Sequence, residues 1–248
     1  MRITLRLACT ALALMSFAAD APGQERPIIG NYSVSGITGT GSKYLGTAVV
    51  AKIGGEMYRV AWTLGSRVFS GTCFRENQWL SCSSCPAPLT ANVTSYLTGP
   101  TGLDGVFIDG GSTTIGRERL TPRGQKGATK DGPASNGQMD PVTFAGKFDV
   151  KGTNPDQSKY TGTASVRRLE VSPSAYYFDW TLGALVMHGV GVRDATGSPL
   201  VAAQCGGRNE SVALVYGIDI KGRILTGTWT QEISGALTAG TEVMMKLK

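Results

Sequence analysis

The sequence predicts an all-β protein made of two tandem eight-stranded antiparallel meander barrels joined by a flexible linker. Three observations predict this class. One long stretch occurs twice, the chain has 34 glycines with only 17% charged residues, and apolar residues alternate with polar ones in short runs between glycine-rich turns. Short runs rich in Val, Thr and Tyr, separated by frequent turns, are typical of β-sheet proteins.

The duplication divides the chain into two domains. The stretch at 30–65 returns at 146–183 with Ser-Lys-Tyr, Gly-Thr-Ala and Trp-Thr-Leu-Gly in the same order. Such self-similarity fixes the architecture before any single residue is considered. A chain of 248 residues accommodates two domains of this size. We therefore expect one barrel at 27–120 and the other at 142–248.

Eight strands are predicted in each copy from period-two alternation and turn residues. In the first copy they are 32–36, 44–52, 57–64, 68–75, 79–85, 93–98, 102–109 and 114–120. In the second copy they are 147–152, 160–169, 175–182, 185–193, 200–205, 211–220, 223–231 and 240–248. Eight sequential strands leave exposed edges unless the last returns to the first. A closed barrel of eight strands is filled by side chains or holds one small ligand.

Alternation assigns faces within the predicted strands. Tyr58, Val60 and Trp62 alternate with polar or small residues, so these three side chains should share one face. Glycines also occur in the middle of the predicted strands, where they suggest bulges or sharp coiling of a small barrel. These glycines are Gly46, Gly71, Gly105, Gly162, Gly189 and Gly227.

Residues 121–141 should form the linker. The segment reads TPRGQKGATKDGPASNGQMDP and has almost no large apolar side chain. It therefore buries too little surface to offset the entropy of ordering it. We expect a flexible connection between the two barrels.

Residues 1–23 resemble a secretory signal peptide. Arg2 and Arg6 precede the apolar run at 7–19, and small residues suitable for cleavage follow. We therefore expect an exported protein, periplasmic or secreted. Later segments fall short of the roughly 20 apolar residues of a membrane-spanning helix, so no stable membrane insertion is expected.

The charge pattern limits the classes of partner. The formal net charge is +6, and the basic residues are scattered rather than interleaved with aromatic residues. This pattern does not indicate a nucleic-acid partner. The expected partner is instead a protein, a glycan or a small apolar ligand.

The cysteines are disulfide candidates because an exported protein meets oxidising conditions. Cys73 and Cys82 are symmetric about a predicted turn at 77–78, so they should face each other across a hairpin. Cys85 aligns with Cys205 of the other copy, and these two could pair between domains or stay free. The Cys82-x-x-Cys85 spacing lacks a second such pair and a nearby histidine, so no metal site is expected.

Candidate catalytic groups are few. His188 is the only histidine, and it alternates with valines as a hydrogen-bonded packing residue would. A Gly-x-Ser-x-Gly motif is absent. Glu118 and Glu242 each follow a Gly-x pair near the end of a copy, where they could serve a hydrolase or close the barrel through an ion pair or backbone contacts. We assign no catalytic residue and no cofactor, and the pattern favours a protein that is not an enzyme.

Four aromatic residues are the candidate ligand-binding set. Tyr58 and Trp62 in the first copy correspond to Tyr176 and Trp180 in the second. If they point inward, they could line a pocket for an apolar or ring-shaped ligand. The alternative is that they only fill a small core.

A longer pattern runs through the second copy. It reads Gly-x-Phe-x-Val-x-Gly, Tyr-x-Gly-Thr, Tyr-x-x-x-Trp, Gly-x-Gly, Tyr, Leu-x-Gly-x-Trp and Gly-x-Glu. The pattern resembles small exported tandem-repeat β proteins of proteobacteria, some of which are labelled fibronectin-binding. The architecture is also similar to calycin-type barrels such as avidins and lipocalins. These resemblances imply compact barrels, and they transfer no binding residue.

Three functional hypotheses follow. The first is an exported, non-catalytic binding or interaction protein whose two similar modules raise avidity for a repetitive partner through the linker. The second is a periplasmic carrier that holds a small apolar ligand inside a barrel. The third is a hydrolase that uses Glu118 or Glu242.

Overall fold

The computed structural model describes residues 28–85, 91–99, 101–109, 112, 114–123, 144–169, 172–193, 199–205, 211–233 and 236–247. The predicted signal peptide at 1–23 and linker residues 124–141 lie outside the described residues. The described ranges contain sixteen β-strands. They are β1 (Gly30–Thr38), β2 (Lys43–Gly54), β3 (Met57–Leu64), β4 (Arg67–Glu76), β5 (Trp79–Cys85), β6 (Asn92–Gly99), β7 (Gly102–Ile108), β8 (Gly116–Pro122), β9 (Gly146–Thr153), β10 (Lys159–Leu169), β11 (Ser172–Leu182), β12 (Leu185–Arg193), β13 (Leu200–Gln204), β14 (Val212–Ile218), β15 (Ile224–Ile233) and β16 (Ala236–Lys246).

The strands form two closed antiparallel barrels of eight strands each, as the sequence predicts. Barrel A contains β1 to β5 together with β14 to β16, and barrel B contains β6 to β13. Within each barrel every strand pairs with two neighbours, so neither barrel leaves an open edge. No helix among the described residues is long and apolar enough to cross a membrane.

The distribution of strands between the barrels differs from the expected contiguous domains at 27–120 and 142–248. Strand β5 pairs with β14 rather than with β6, and β13 pairs with β6. The two sequence copies therefore exchange their last three strands, and barrel B is a continuous segment inserted between β5 and β14 of barrel A. The segment expected to link two domains instead connects β8 to β9, which are paired neighbours in barrel B.

Apolar side chains buried between the two barrels hold the barrels together. All five residues of β13 are buried, although a strand in an isolated barrel should bury only alternate side chains. The outward apolar side chains of several strands pack between the barrels in one cluster. Its buried members are Met57, Phe74, Val93, Ile108, Val190, Val192, Val201, Ala203, Ala213 and Val215. Exchanging equivalent strands leaves the same kinds of strand pairs inside each barrel. The alternation of apolar and polar residues within strands is therefore the same for contiguous barrels and for exchanged barrels.

Each barrel also has its own apolar interior. The predicted shared face of Tyr58, Val60 and Trp62 is confirmed, and the structure places it in the core of barrel A. Tyr176, Phe178 and other side chains fill the core of barrel B in the same way. The rings of Tyr58, Trp62, Tyr176 and Phe178 therefore lie inside the barrels.

Two disulfides are present. Cys73 and Cys82 are direct cross-strand partners on β4 and β5, with a Cα–Cα distance of 4.1 Å, which confirms the hairpin pairing predicted from their spacing. The second joins Cys85 to Cys205, with a Cα–Cα distance of 5.8 Å. It connects the end of β5 in barrel A to the residue after β13 in barrel B. The sequence left open whether these two cysteines pair between domains or stay free, and the structure shows that they pair between the barrels.

Candidate functional site

Each barrel contains one buried glutamate that accepts hydrogen bonds from two tyrosines. In barrel A, Tyr216 donates its hydroxyl to Glu242 Oε1 at 2.5 Å, and Tyr44 donates to Oε2 at 3.0 Å. In barrel B, Tyr160 donates to Glu118 Oε2 at 2.9 Å, and Tyr96 donates to Oε1. These four tyrosines and two glutamates occupy equivalent strand positions. The same Tyr-Glu-Tyr arrangement is therefore built twice.

Residues from both sequence copies contribute to each site. Tyr44 lies in the first copy and its partner Glu242 in the second, whereas Tyr160 lies in the second copy and its partner Glu118 in the first. Contiguous barrels would have joined Tyr44 to Glu118 instead. The strand exchange thus makes each site depend on both copies.

Mid-strand glycines let the tyrosine rings lie flat along the barrel wall. Gly36 is the cross-strand partner of Tyr44, and a Cβ atom added at Gly36 would lie 2.1 Å from the Tyr44 ring. Gly152 has the same relation, at 2.1 Å, to Tyr160. The glycines expected to mark bulges or sharp strand coiling show a related close approach, since Gly105 lies against the ring of Tyr96.

The strand register is regular at these six glycines, contrary to the bulges that the sequence suggested. The register shifts of the described strands fall between Lys52 and Gly54 and between Arg168 and Leu169, away from the six mid-strand glycines. The physical reason for glycine is instead space. A Cβ at Gly227 would meet the Tyr216 ring at 2.5 Å, and one at Gly46 would meet backbone oxygen at 2.2 Å.

Burial shifts the titration of the whole network. Glu242 is 3% exposed and Glu118 is 8% exposed. Burial raises the pKa of both carboxyl groups, and the tyrosine hydroxyl donors lower it in part. Burial and the neighbouring glutamate raise the pKa of Tyr96 and Tyr216. These phenols therefore remain protonated donors over the pH range in which the glutamates titrate.

A cavity of about 200 Å³ opens beside Glu242 in barrel A. Its lining residues are Thr38, Tyr44, Trp62, Leu64, Arg67, Phe69, Ser84, Val212, Leu214, Trp229, Gln231 and Glu242. Trp229 Nε1 donates to the Tyr44 hydroxyl at 2.8 Å, which extends the network. The indole N–H of Trp62 is buried near Glu242 and lowers the pKa of that carboxyl group. Cavity A therefore joins aromatic rings with polar side chains, among them Arg67, Gln231 and Glu242.

A cavity of about 240 Å³ occupies the equivalent place beside Glu118 in barrel B. Its lining residues are Asn92, Thr94, Phe107, Asp109, Glu118, Asn154, Tyr160, Trp180, Leu182, Leu185, Met187, Ala202 and Gln204. Phe107 packs edge-on against Tyr160 with ring centroids 6.3 Å apart, where barrel A has the Trp229–Tyr44 contact. We name the two spaces cavity A and cavity B.

The structure brings only part of the predicted ligand-binding set to the cavities. Trp62 lines cavity A and Trp180 lines cavity B. Tyr58 and Tyr176 are buried in the barrel cores, outside both cavity linings. His188 lies apart, with Nδ1 2.6 Å from Asp179 Oδ1 on the outer side of barrel B.

Sequence reasoning missed the tyrosines that hold the glutamates. Tyr44 and Tyr160 stand in the repeated Ser-Lys-Tyr motif, and Glu118 and Glu242 stand in the repeated Gly-x-Glu motif. The signal in the sequence was that both the tyrosine and the glutamate occur at equivalent positions in the two copies. Their contact was not visible because it depends on which strands close each barrel.

Comparisons with known proteins add little to this geometry. No protein-family model matches the chain, and no curated protein matches it. Among solved structures, the chain is similar to a porin-like protein from Bacteroides uniformis, at 8% identity over 89% of this chain and 96% of the other. The TM-score is 0.22, too low to compare the two folds. These findings give no support to the fibronectin-binding resemblance, so function must be inferred from the site itself.

Proposed function

We propose that the protein is a small-molecule binding protein that holds one ring-sized organic ligand inside each barrel. The observation that carries this proposal is the pair of equivalent cavities, each with a tryptophan, a tyrosine and a buried glutamate at matching positions. Aromatic walls with a few fixed polar groups are typical of small-ligand sites.

The cavity volumes fit a ligand with a single ring. Cavity A measures about 200 Å³ and cavity B about 240 Å³. A protein cavity of roughly 150 Å³ is large enough to bind benzene. Each barrel can therefore accept one ring that carries a small polar substituent.

The polar groups would orient such a ligand. In cavity A, Arg67 can donate hydrogen bonds to a ligand oxygen, and Gln231 can donate or accept them. Glu242 and Tyr44 lie on the same cavity wall and offer an acceptor and a hydroxyl group. A ring that bears a hydroxyl or carbonyl group would bond to these side chains.

The geometry favours internal binding over the other two hypotheses. Avidity on a flexible tether requires two separable modules, but strand exchange and the Cys85–Cys205 disulfide tie these barrels together. A glycosidase-like hydrolase needs two carboxyl groups that flank one bond. Glu118 and Glu242 lie in different barrels, and each already accepts two tyrosine hydrogen bonds.

Export is part of the proposal. The disulfides Cys73–Cys82 and Cys85–Cys205 favour an oxidising compartment, where such bonds persist. The signal-like residues 1–23 support the same location. The ligand would then be met in the periplasm or outside the cell.

Native mass spectrometry with benzyl alcohol as the probe tests the proposal. We expect up to two probe molecules per chain with saturable binding. Leu182→Trp should fill cavity B and leave one site, and Leu64→Trp should do the same in cavity A. Leu45→Trp is the matched control, because Leu45 is 75% exposed on the outer wall. The proposal is wrong if benzyl alcohol binding does not saturate, or if neither Leu64→Trp nor Leu182→Trp reduces the number of bound molecules.

A further inference from the structure

We infer that the two cavities select different ligands, and that cavity B takes a small organic cation, a ring or short apolar body that carries an ammonium group. This inference rests on the proposed function and adds the class of ligand. It comes from a position-by-position comparison of the two cavity linings, which the strand registers make possible.

Four lining positions are identical in the two cavities and form a common frame. They are Tyr44 and Tyr160, Trp62 and Trp180, Leu64 and Leu182, and Glu242 and Glu118. The frame supplies an aromatic wall and one carboxyl group in both barrels. Any difference in ligand class must therefore come from the positions that changed.

Two of the changed positions alter the charge of the cavity. Arg67 lines cavity A where Leu185 lines cavity B, each at the start of the strand after an equivalent hairpin. Gln231 lines cavity A where Asp109 lines cavity B. The lining of cavity A thus holds one arginine and one carboxyl group, whereas the lining of cavity B holds two carboxyl groups and no arginine or lysine.

Three further positions make cavity B more polar. Val212 and Leu214 of cavity A are replaced by Asn92 and Thr94, and Ser84 by Gln204. Asn92 Nδ2 donates to Gln204 Oε1 at 2.9 Å, so the two amides are held together at the wall. Amide and hydroxyl oxygens accept hydrogen bonds from an ammonium group.

The aromatic residues of cavity B complete the fit to a cation. Tyr160, Trp180 and Phe107 line it together with Asp109 and Glu118. The negative faces of aromatic rings attract ammonium groups, and this attraction strengthens when the site excludes water. In cavity A, the positive charge of Arg67, which stands at the position of Leu185, would repel an ammonium ligand.

Benzylammonium and benzyl alcohol form a matched pair of probes, since both carry one ring and differ in charge. We expect cavity B to bind benzylammonium about tenfold more tightly than benzyl alcohol, and cavity A to show no such preference. The Leu64→Trp variant reports binding in cavity B alone, and the Leu182→Trp variant reports binding in cavity A alone. Binding of benzylammonium should weaken as salt concentration rises.

Asp109→Gln installs the residue that barrel A carries at this position. It should weaken benzylammonium binding about tenfold and change benzyl alcohol binding less than about twofold. The control is Asp104→Gln, which removes a half-exposed carboxylate outside cavity B from β7, the strand that ends just before Asp109. The reciprocal double variant Arg67→Leu with Gln231→Asp should give cavity A a preference for benzylammonium.

The outcomes separate this inference from the proposed function. Equal affinity of cavity B for the two probes, or an equal loss of both with Asp109→Gln, overturns the cation assignment and leaves internal binding intact. Failure of both probes to bind either barrel overturns the two proposals together.

Discussion

Tyr160 donates a hydrogen bond to Glu118 at 2.9 Å although the two residues belong to different copies of the repeat. Its counterpart Tyr44 bonds in the same way to Glu242, from the first copy to the second. Each copy therefore carries half of each site. The duplicated sequence folds into two composite barrels, and cavities A and B are each lined by residues of both copies.

A chain cut between β8 and β9 should remain one particle. A protease site introduced within 124–143 divides the chain into fragments carrying β1 to β8 and β9 to β16, and each fragment then contributes strands to both barrels. We expect the fragments to elute together in size-exclusion chromatography even after the disulfides are reduced. Elution of two separate folded halves would mean that the copies form independent barrels.

The Tyr160–Glu118 contact should appear as a coupling energy. A double-mutant cycle of Tyr160→Phe with Glu118→Gln, followed by urea unfolding, should give a coupling of about 1.5–3 kcal/mol, the range for hydrogen bonds to charged groups. The matched cycle of Tyr160→Phe with Glu242→Gln should give a coupling near zero, since those residues lie in different barrels. The reverse ranking would contradict the strand exchange.

The buried glutamates should make stability depend on pH in a defined direction. Burial raises the pKa of Glu118 and Glu242 in the folded protein above the unfolded value of about 4.3. The folded state then binds more protons between those two pKa values, so the free energy of unfolding falls as the pH rises through that window. Their contribution is fully present below the unfolded pKa.

The double variant Glu118→Gln with Glu242→Gln is the comparison for this effect. Urea unfolding from pH 4 to pH 8 should show the wild-type chain losing stability relative to the variant as the pH rises. If the wild-type chain instead gains stability relative to the variant over this range, the tyrosine hydrogen bonds outweigh burial and the predicted direction of the two glutamate pKa shifts is wrong.

Gly36→Ala should disturb cavity A alone. The added Cβ would lie 2.1 Å from the Tyr44 ring, so the ring must move away from Glu242 and Trp229. We expect a loss of about 1–3 kcal/mol in the free energy of unfolding, as for other overpacked sites, and loss of probe binding in barrel A. Gly54→Ala is the control, because its Cβ would meet only the Met57 Cε atom, at 3.9 Å. Equal stability of the two variants would contradict the packing described.

Local features of the fold were predictable because they depend on neighbouring residues. The alternation of Tyr58, Val60 and Trp62 is a property of one strand, and it correctly placed the three side chains on one face. The placement of Cys73 and Cys82 about a turn is a property of one hairpin, and it gave the disulfide.

The choice of partner strands was not predictable from alternation. Strands β6 and β14 are equivalent in the repeat, and either could have paired with β5. The missed signal was the unbroken apolar run of β13, Leu-Val-Ala-Ala, which is buried on both faces because it packs against the other barrel. Without the correct partners, the Tyr44–Glu242 contact could not be found.

The most direct test of internal binding uses the tryptophan indole N–H signals in a two-dimensional NMR spectrum, assigned by replacing each tryptophan with phenylalanine. The chain has four tryptophans. Trp62 and Trp229 line cavity A, Trp180 lines cavity B, and Trp79 packs in the cluster between the barrels. Addition of benzyl alcohol should shift the Trp62 and Trp180 signals in a saturable manner and leave Trp79 unchanged. A shift confined to Trp79, or no saturable shift at Trp62 and Trp180, would contradict ligand binding inside the barrels.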